Sequence, residues 1–167
     1  SVAISAGFYH NLAMRPTAAT GTPTITSATT ASATVGAAFA FTVTAGNSPT
    51  AFSATGLPAG LSLNATSGVI SGTPTTAGTY SVSLTASNAG GTSPAVTLVL
   101  TVRTPLTTTQ SVASTSLTAG TTAASFTPVT AAGGTAPYTF AVVPTLPTGL
   151  AFSASTGVVS GTPTATS

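Results

Sequence analysis

The chain has 167 residues and contains no Asp, Glu, Lys or Cys; its formal charge of +2 rests on Arg15 and Arg103 alone. That length accommodates one large or two small domains. The composition excludes most chemistry: acid–base pairs, glycosidase carboxylates and a Ser-His-Asp triad all need Asp or Glu, and phosphate binding needs clustered Lys/Arg. We therefore expect no enzyme, no nucleic-acid partner and no cofactor.

In chain order, residues 1–15 come first. "SVAISAGFYHNLAM" alternates, with Val2, Ile4, Ala6 and Phe8 on one face, and reads as a β-strand segment. It lacks the charged n-region and apolar core of a signal peptide. His10, the only histidine, has no Cys or carboxylate with which to share a metal. Residues 16–21 are a Pro, Gly and Thr-rich linker.

From about residue 22 to 102 the chain reads as one module of about seven short strands at roughly ten-residue intervals, the pattern of a sandwich. "FAFTVTA" places Phe39, Phe41 and Val43 at period two. "TYSVSLTAS" does the same with Tyr80, Val82, Leu84 and Ala86, and "AVTLVLTV" with Val96, Leu98, Leu100 and Val102. No segment carries an apolar stripe at helical spacing, and no apolar run is long enough to insert in a membrane. The fold class is all-β, built of antiparallel sandwiches. The absence of Cys removes any disulfide framework.

Residues 103–109, "RTPLTTT", read as a second linker, and residues 110–167 as a second, incomplete module. "LPAGLSLNATSGVISGTPT", from Leu57 to Thr75, returns 89 positions later as "LPTGLAFSASTGVVSGTPT", from Leu146 to Thr164. At that offset a complete second copy would run to about residue 191, so the second copy lacks counterparts of its last two strands. In the repeated motif Gly60, Gly68 and Gly72 suit positive-φ turns. Leu57, Leu61, Leu63 and Ile70 are candidate core plugs, and Pro58 and Pro74 fix turn entries. Their counterparts are Leu146, Pro147, Gly149, Leu150, Phe152, Gly157, Val159, Gly161 and Pro163.

The string Leu-Pro-x-Gly-Leu, Ser-Gly-Val-Ile-Ser-Gly-Thr-Pro-Thr and Ala-Gly-Thr-Tyr, followed by an alternating strand that ends in Ser-Asn, resembles the bacterial immunoglobulin-like repeat (He_PIG), a relative of cadherin-like modules. The resemblance covers residues 22–102 fully and 105–167 in part. It implies tandem antiparallel β-sandwiches on large secreted or cell-surface proteins, serving as spacers, stalks or adhesive arrays. Residues 1–14 resemble, more weakly, the closing strands of a propeller blade of the regulator of chromosome condensation type; any short strand reads the same way. Cadherin-like relatives stiffen their joints with calcium, which takes several carboxylates. Where such repeats carry Asp this chain has Asn64 and Ser153, so we expect no calcium.

Two functional readings follow for an extracellular or cell-surface protein. In the first, the chain is a subunit of a head-to-tail filament, the strand around Val2, Ile4, Ala6 and Phe8 of one copy completing the second module of the next. In the second, it is a spacer or polysaccharide-binding fragment of a longer surface protein, whose partners are adjacent modules or surface glycans. Asn64-Ala65-Thr66 is a sequon for N-glycosylation.

Overall fold

The computed structural model describes residues 21–164; the expectations for residues 1–15 and most of the linker at 16–21 lie outside them. The first half forms β1 (Thr24–Ile25), β2 (Thr30–Thr34), β3 (Phe39–Thr42), β4 (Ala45–Gly46), β5 (Ala51–Thr55), β6 (Leu61–Leu63), β7 (Val69–Gly72), β8 (Gly78–Asn88), β9 (Gly91–Thr92) and β10 (Val96–Arg103). Seven of these are longer than two residues. The second half forms β11 (Thr107–Gln110), β12 (Ala123–Phe126), β13 (Val129–Ala132), β14 (Leu150–Phe152) and β15 (Val159–Gly161).

In the first half two sheets face each other. One runs β2-β10-β8-β5, with β9 on β8, and the other β3-β7-β6. All pairings are antiparallel except β10 with β2, which is parallel. The strict alternation of β8 and β10 explains the core. Val82, Leu84, Leu98 and Leu100 are all but inaccessible, and their Ser and Thr neighbours face outward. Across from them, Ile70 of β7 is fully buried, with Phe39, Phe41, Leu61 and Leu63 packed against the cluster. Burying each such aliphatic side chain contributes roughly 1.5–3 kcal/mol, so the central hairpin β8–β10 carries a large share of this module's stability.

The second half repeats part of this plan. β11 pairs with β13 as β1 does with β4, and β12-β15-β14 repeats β3-β7-β6. The turn bonds repeat as well: Gly36 N–H donates to Pro74 O and Gly120 N–H to Pro163 O, while Phe52 N–H donates to Ala65 O and Phe140 N–H to Ala154 O. These bonds fix the equivalences. Residues near 113–118 correspond to β2, and 139–143 to β5.

Neither of those segments is a strand. The sequence led us to expect only the last two strands to be missing, but among the described residues four are. The reason is pairing: β8 and β10 lie between β5 and β2, and without counterparts to them both flanking segments lose their hydrogen-bond partners. A second difference concerns the linker at 103–109. Arg103 closes β10 opposite Thr34 and Thr107–Gln110 pairs with Val129–Ala132, which leaves three connecting residues, Thr104–Leu106.

The repeated glycines act through close approach. Gly60 and Gly72 lie back to back where the turn before β6 meets the end of β7: a Cβ on Gly60 would collide with the Thr73 carbonyl, and one on Gly72 with the Gly60 carbonyl. Thr73 N–H donates to Gly60 O at 3.0 Å, and Thr75 N–H to Ala59 O at 3.1 Å. Gly149 and Gly161 meet in the same way. Gly36, with φ of 76°, has nothing within 4 Å of a built Cβ. Gly60→Ala should therefore cost at least about 3 kcal/mol, strain plus collision, and Gly36→Ala only about 1 kcal/mol for the left-handed conformation. Urea unfolding of the two variants checks this; equal costs would contradict it.

Candidate functional site

The most distinctive surface is the face of the second half that corresponds to the buried core of the first. In the first half Val43 and Ile70 lie under the β8–β10 hairpin within one core cluster. Of their counterparts, Val159 is buried, while Val129 is half-buried and lies beside residues 139–143. A cleft of about 420 Å³ opens there, lined by Val129, Phe140, Val142, Phe152 and Gly157 among others. A second, of about 200 Å³, adjoins it between Leu106, Tyr138 and Phe140. Phe140 keeps its place because its ring packs over Gly157, 3.3 Å from a built Cβ, as Phe52 packs over Gly68 at 3.1 Å.

Three side chains in these segments are more apolar than, or larger than, those they replace. Where the first half has Ala33, Ala54 and Thr55, the second has Leu117, Val142 and Val143. Ala33 is 9% exposed, while Leu117 and Val142 are each 37% and Val143 90% exposed. Of the five exposed large apolar side chains among the described residues, these three and Leu106 belong to the second half.

The motif residues assemble the turns around this face and line no reactive pocket. Leu57, Leu61 and Leu63 are half-buried against the core cluster and Ile70 is fully buried. Val159 is 2% exposed; Leu146, Leu150 and Phe152 are half-buried. Pro58, Pro74 and Pro163 are buried, whereas Pro147 is exposed. Tyr80 is half-buried and donates its hydroxyl to Thr76 O at 3.1 Å.

At the position where related repeats carry Asp, Asn64 Oδ1 accepts the N–H groups of Thr66 and Ser67, both at 3.0 Å. Ser153 Oγ accepts from Thr156 N–H at 3.3 Å and from Thr156 Oγ1 at 2.7 Å. Both oxygens are spent on their own turns. Among the described residues no cluster of metal-ligating side chains occurs, and no helix is long and apolar enough to cross a membrane. Val2, Ile4, Ala6, Phe8 and His10 lie outside the described residues.

A feature absent from the sequence reading is a clasp at the entry to each module. Asn47 and Ser48 both adopt positive φ, and Asn47 Nδ2 donates to Thr22 O at 2.9 Å. Asn88 Nδ2 donates to Gly21 O at 2.9 Å. In the second half the equivalent left-handed pair is Gly133–Gly134. Gly134 N–H donates to Thr104 O at 2.8 Å, and Gly133 packs so closely on Pro105 that a Cβ would strike its carbonyl. The connection between modules is thereby tied to the second one at its first residue. Immediately before it, Val35 N–H of the first module donates to Arg103 O at 2.8 Å.

Trypsin has one usable site, since Arg15 precedes Pro16, and the carbonyl it must attack is held by Val35. The native chain should resist trypsin, and the urea-unfolded chain should give only fragments 1–103 and 104–167, read by mass spectrometry. Rapid native cleavage would show that the end of β10 opens freely.

The family model described as "Putative Ig domain" matches residues 22–103 and 104–167. A search of curated proteins finds no match. Two solved structures from Bacteroides fragilis are similar over 49% of this chain: a putative alpha-galactosidase at 37% identity and a putative alpha-galactosidase/melibiase at 32%, each with a TM-score of 0.46. The chain covers 18% of the length of either.

Proposed function

This chain belongs to the Ig-domain family, in two tandem copies, and from that premise we propose that it is a non-enzymatic subunit of an extracellular filament on the cell surface. In this reading a β-strand from one copy completes the second module of the next, head to tail. The chain is a tandem of Ig-like repeats, a family of structural and adhesive modules.

One observation carries the finer reading: residues 139–143 line an open apolar cleft and belong to no strand, whereas their counterpart β5 pairs with β8. An open sandwich exposes core side chains and unpaired backbone, and a supplied strand satisfies both. The contact is heterologous, so it propagates instead of closing. Composition supports the same reading, because a chain with no carboxylates and two guanidiniums offers almost no charge repulsion between copies. It also suits an exposed location: His10 is the only side chain that titrates between pH 7 and pH 3, so acid unfolding through carboxylate protonation is closed to it.

A glycan-binding role is less well supported. Sugar platforms use exposed aromatic faces, whereas Tyr80 and Tyr138 are half-buried, with their hydroxyls donated to the Thr76 and Gly133 carbonyls. Asn64 is exposed, and its N-glycosylation belongs to the same extracellular proposal.

Deleting residues 1–14 should convert filaments of the full chain into monomers, as seen by electron microscopy with intact mass of the subunit. Filaments that persist unchanged, or a native subunit long enough to supply its own missing strands, would favour a passive spacer within a larger protein.

A further inference from the structure

We infer that the two modules are joined through a single-residue hinge at Thr104, which Pro105 holds extended, so that they keep a fixed angle to each other with no metal at the joint. Such a joint is independent of the strand-complementation reading above: it serves a filament subunit and a passive spacer alike.

Every peptide unit is a rigid plane, so the backbone turns only through φ and ψ at each Cα. Freedom between two modules is therefore set by the Cα atoms that lie between the last plane held by one and the first plane held by the other. Here only the Cα of Thr104 does. The plane carrying the Arg103 carbonyl belongs to the first module, because Arg103 closes β10 opposite Thr34 and its oxygen accepts from Val35 N–H at 2.8 Å. The next plane, carrying the Thr104 carbonyl, belongs to the second, because that oxygen accepts from Gly134 N–H at 2.8 Å.

Both remaining dihedrals are restrained. Pro105 follows, and the clash of its Cδ with the residue before it removes the helical region, which leaves Thr104 extended. The residues around the hinge are also gripped from the second module. A Cβ built on Gly133 would strike the Pro105 carbonyl and lie 2.8 Å from Thr104 Oγ1, and one built on Gly134 would lie 3.0 Å from Leu106 Cβ. The two glycines thus let their loop close over all three connecting residues. Tyr138 backs that loop, donating its hydroxyl to Gly133 O.

The entry to the first module shows what is particular to this joint. From the registers of Thr24 with Gly46 and of Thr107 with Ala132, Gly21 is the counterpart of Thr104. Its carbonyl is also held by an N–H donor, Asn88 Nδ2 at 2.9 Å. Yet the residue is a glycine and Thr22 follows it, so neither a side chain nor a proline narrows its dihedrals. The pair Thr104–Pro105 supplies both restraints between the modules.

The chain has no Cys, so spin labels can be placed cleanly. Ser62 and Ala151 are exposed and equivalent positions of β6 and β14. A full-length Ser62→Cys, Ala151→Cys variant, labelled and diluted with unlabelled chain, reports the angle between modules as a distance distribution by double electron–electron resonance. Ser62→Cys with Ser81→Cys, and Thr130→Cys with Ala151→Cys, give the standard within each module; all four positions are exposed. The distribution between modules should be no wider than the wider standard, and excess calcium or EDTA should leave it unchanged. Two glycines inserted between Arg103 and Thr104 keep every bond above and add two further pairs of soft dihedrals, so they should about double the width. Pro105→Ala should widen it by less, with both standards unchanged. A native distribution well beyond both standards, one that narrows when calcium is added, or an unchanged width in the insertion or the Pro105→Ala variant would overturn the inference.

Discussion

A β-strand exists only beside another strand. In this chain the dependence is visible twice over, because one sequence carries the same turns with and without the central hairpin. β5 and β2 are strands because β8 and β10 stand between them. The segments at 139–143 and 113–118 keep the equivalent anchoring bonds, Phe140 N–H to Ala154 O and Gly120 N–H to Pro163 O, and yet are not strands. The turns hold them at the rim of the half-sandwich; only pairing can order them further. Among the described residues, an open apolar cleft along 139–143 is the consequence.

No charge guards that cleft. Natural edge strands avoid association by carrying Lys, inward-pointing charges or Pro. Here the exposed rim carries Val142 and Val143, and apart from Pro144 the segment has none of those protections. The two modules also differ in their side chains here: Ala33, Ala54 and Thr55 give way to Leu117, Val142 and Val143. Meanwhile the connection Thr104–Leu106 is short, and backbone hydrogen bonds tie Arg103 to the first module and Thr104 to the second. A joint built from Gly133, Gly134 and Val35 needs no carboxylate, which agrees with a chain that has none to offer a cation.

Much of this was legible in the sequence because period-two alternation and a repeated turn motif are local signals. Tyr80, Val82, Leu84 and Ala86 could be assigned to one face by counting, and their burial follows the count. The Gly60–Gly72 contact was half legible. Each glycine announces a turn, but their mutual approach depends on β6 and β7 being neighbours. The unpaired state of 139–143 was not legible, since "YTFAVV" has good strand propensity and only the absence of a partner decides the outcome. The clasp was hidden for a different reason: Asn47–Ser48 and Gly133–Gly134 share a backbone conformation and no side-chain chemistry. Subtracting one copy of the repeat from the other would have exposed Val142 and Leu117 as the informative residues.

Hydrogen exchange on unassembled and assembled chain tests the half-sandwich account most directly, because each segment in question has its own internal standard. The account predicts that amides of residues 139–143 exchange fast in the unassembled chain, while those of 51–55, paired to β8, are protected. On assembly, 139–143 should become protected and 51–55 should not change. Equal protection of the two segments in the unassembled chain, or continued fast exchange of 139–143 in filaments, would contradict it.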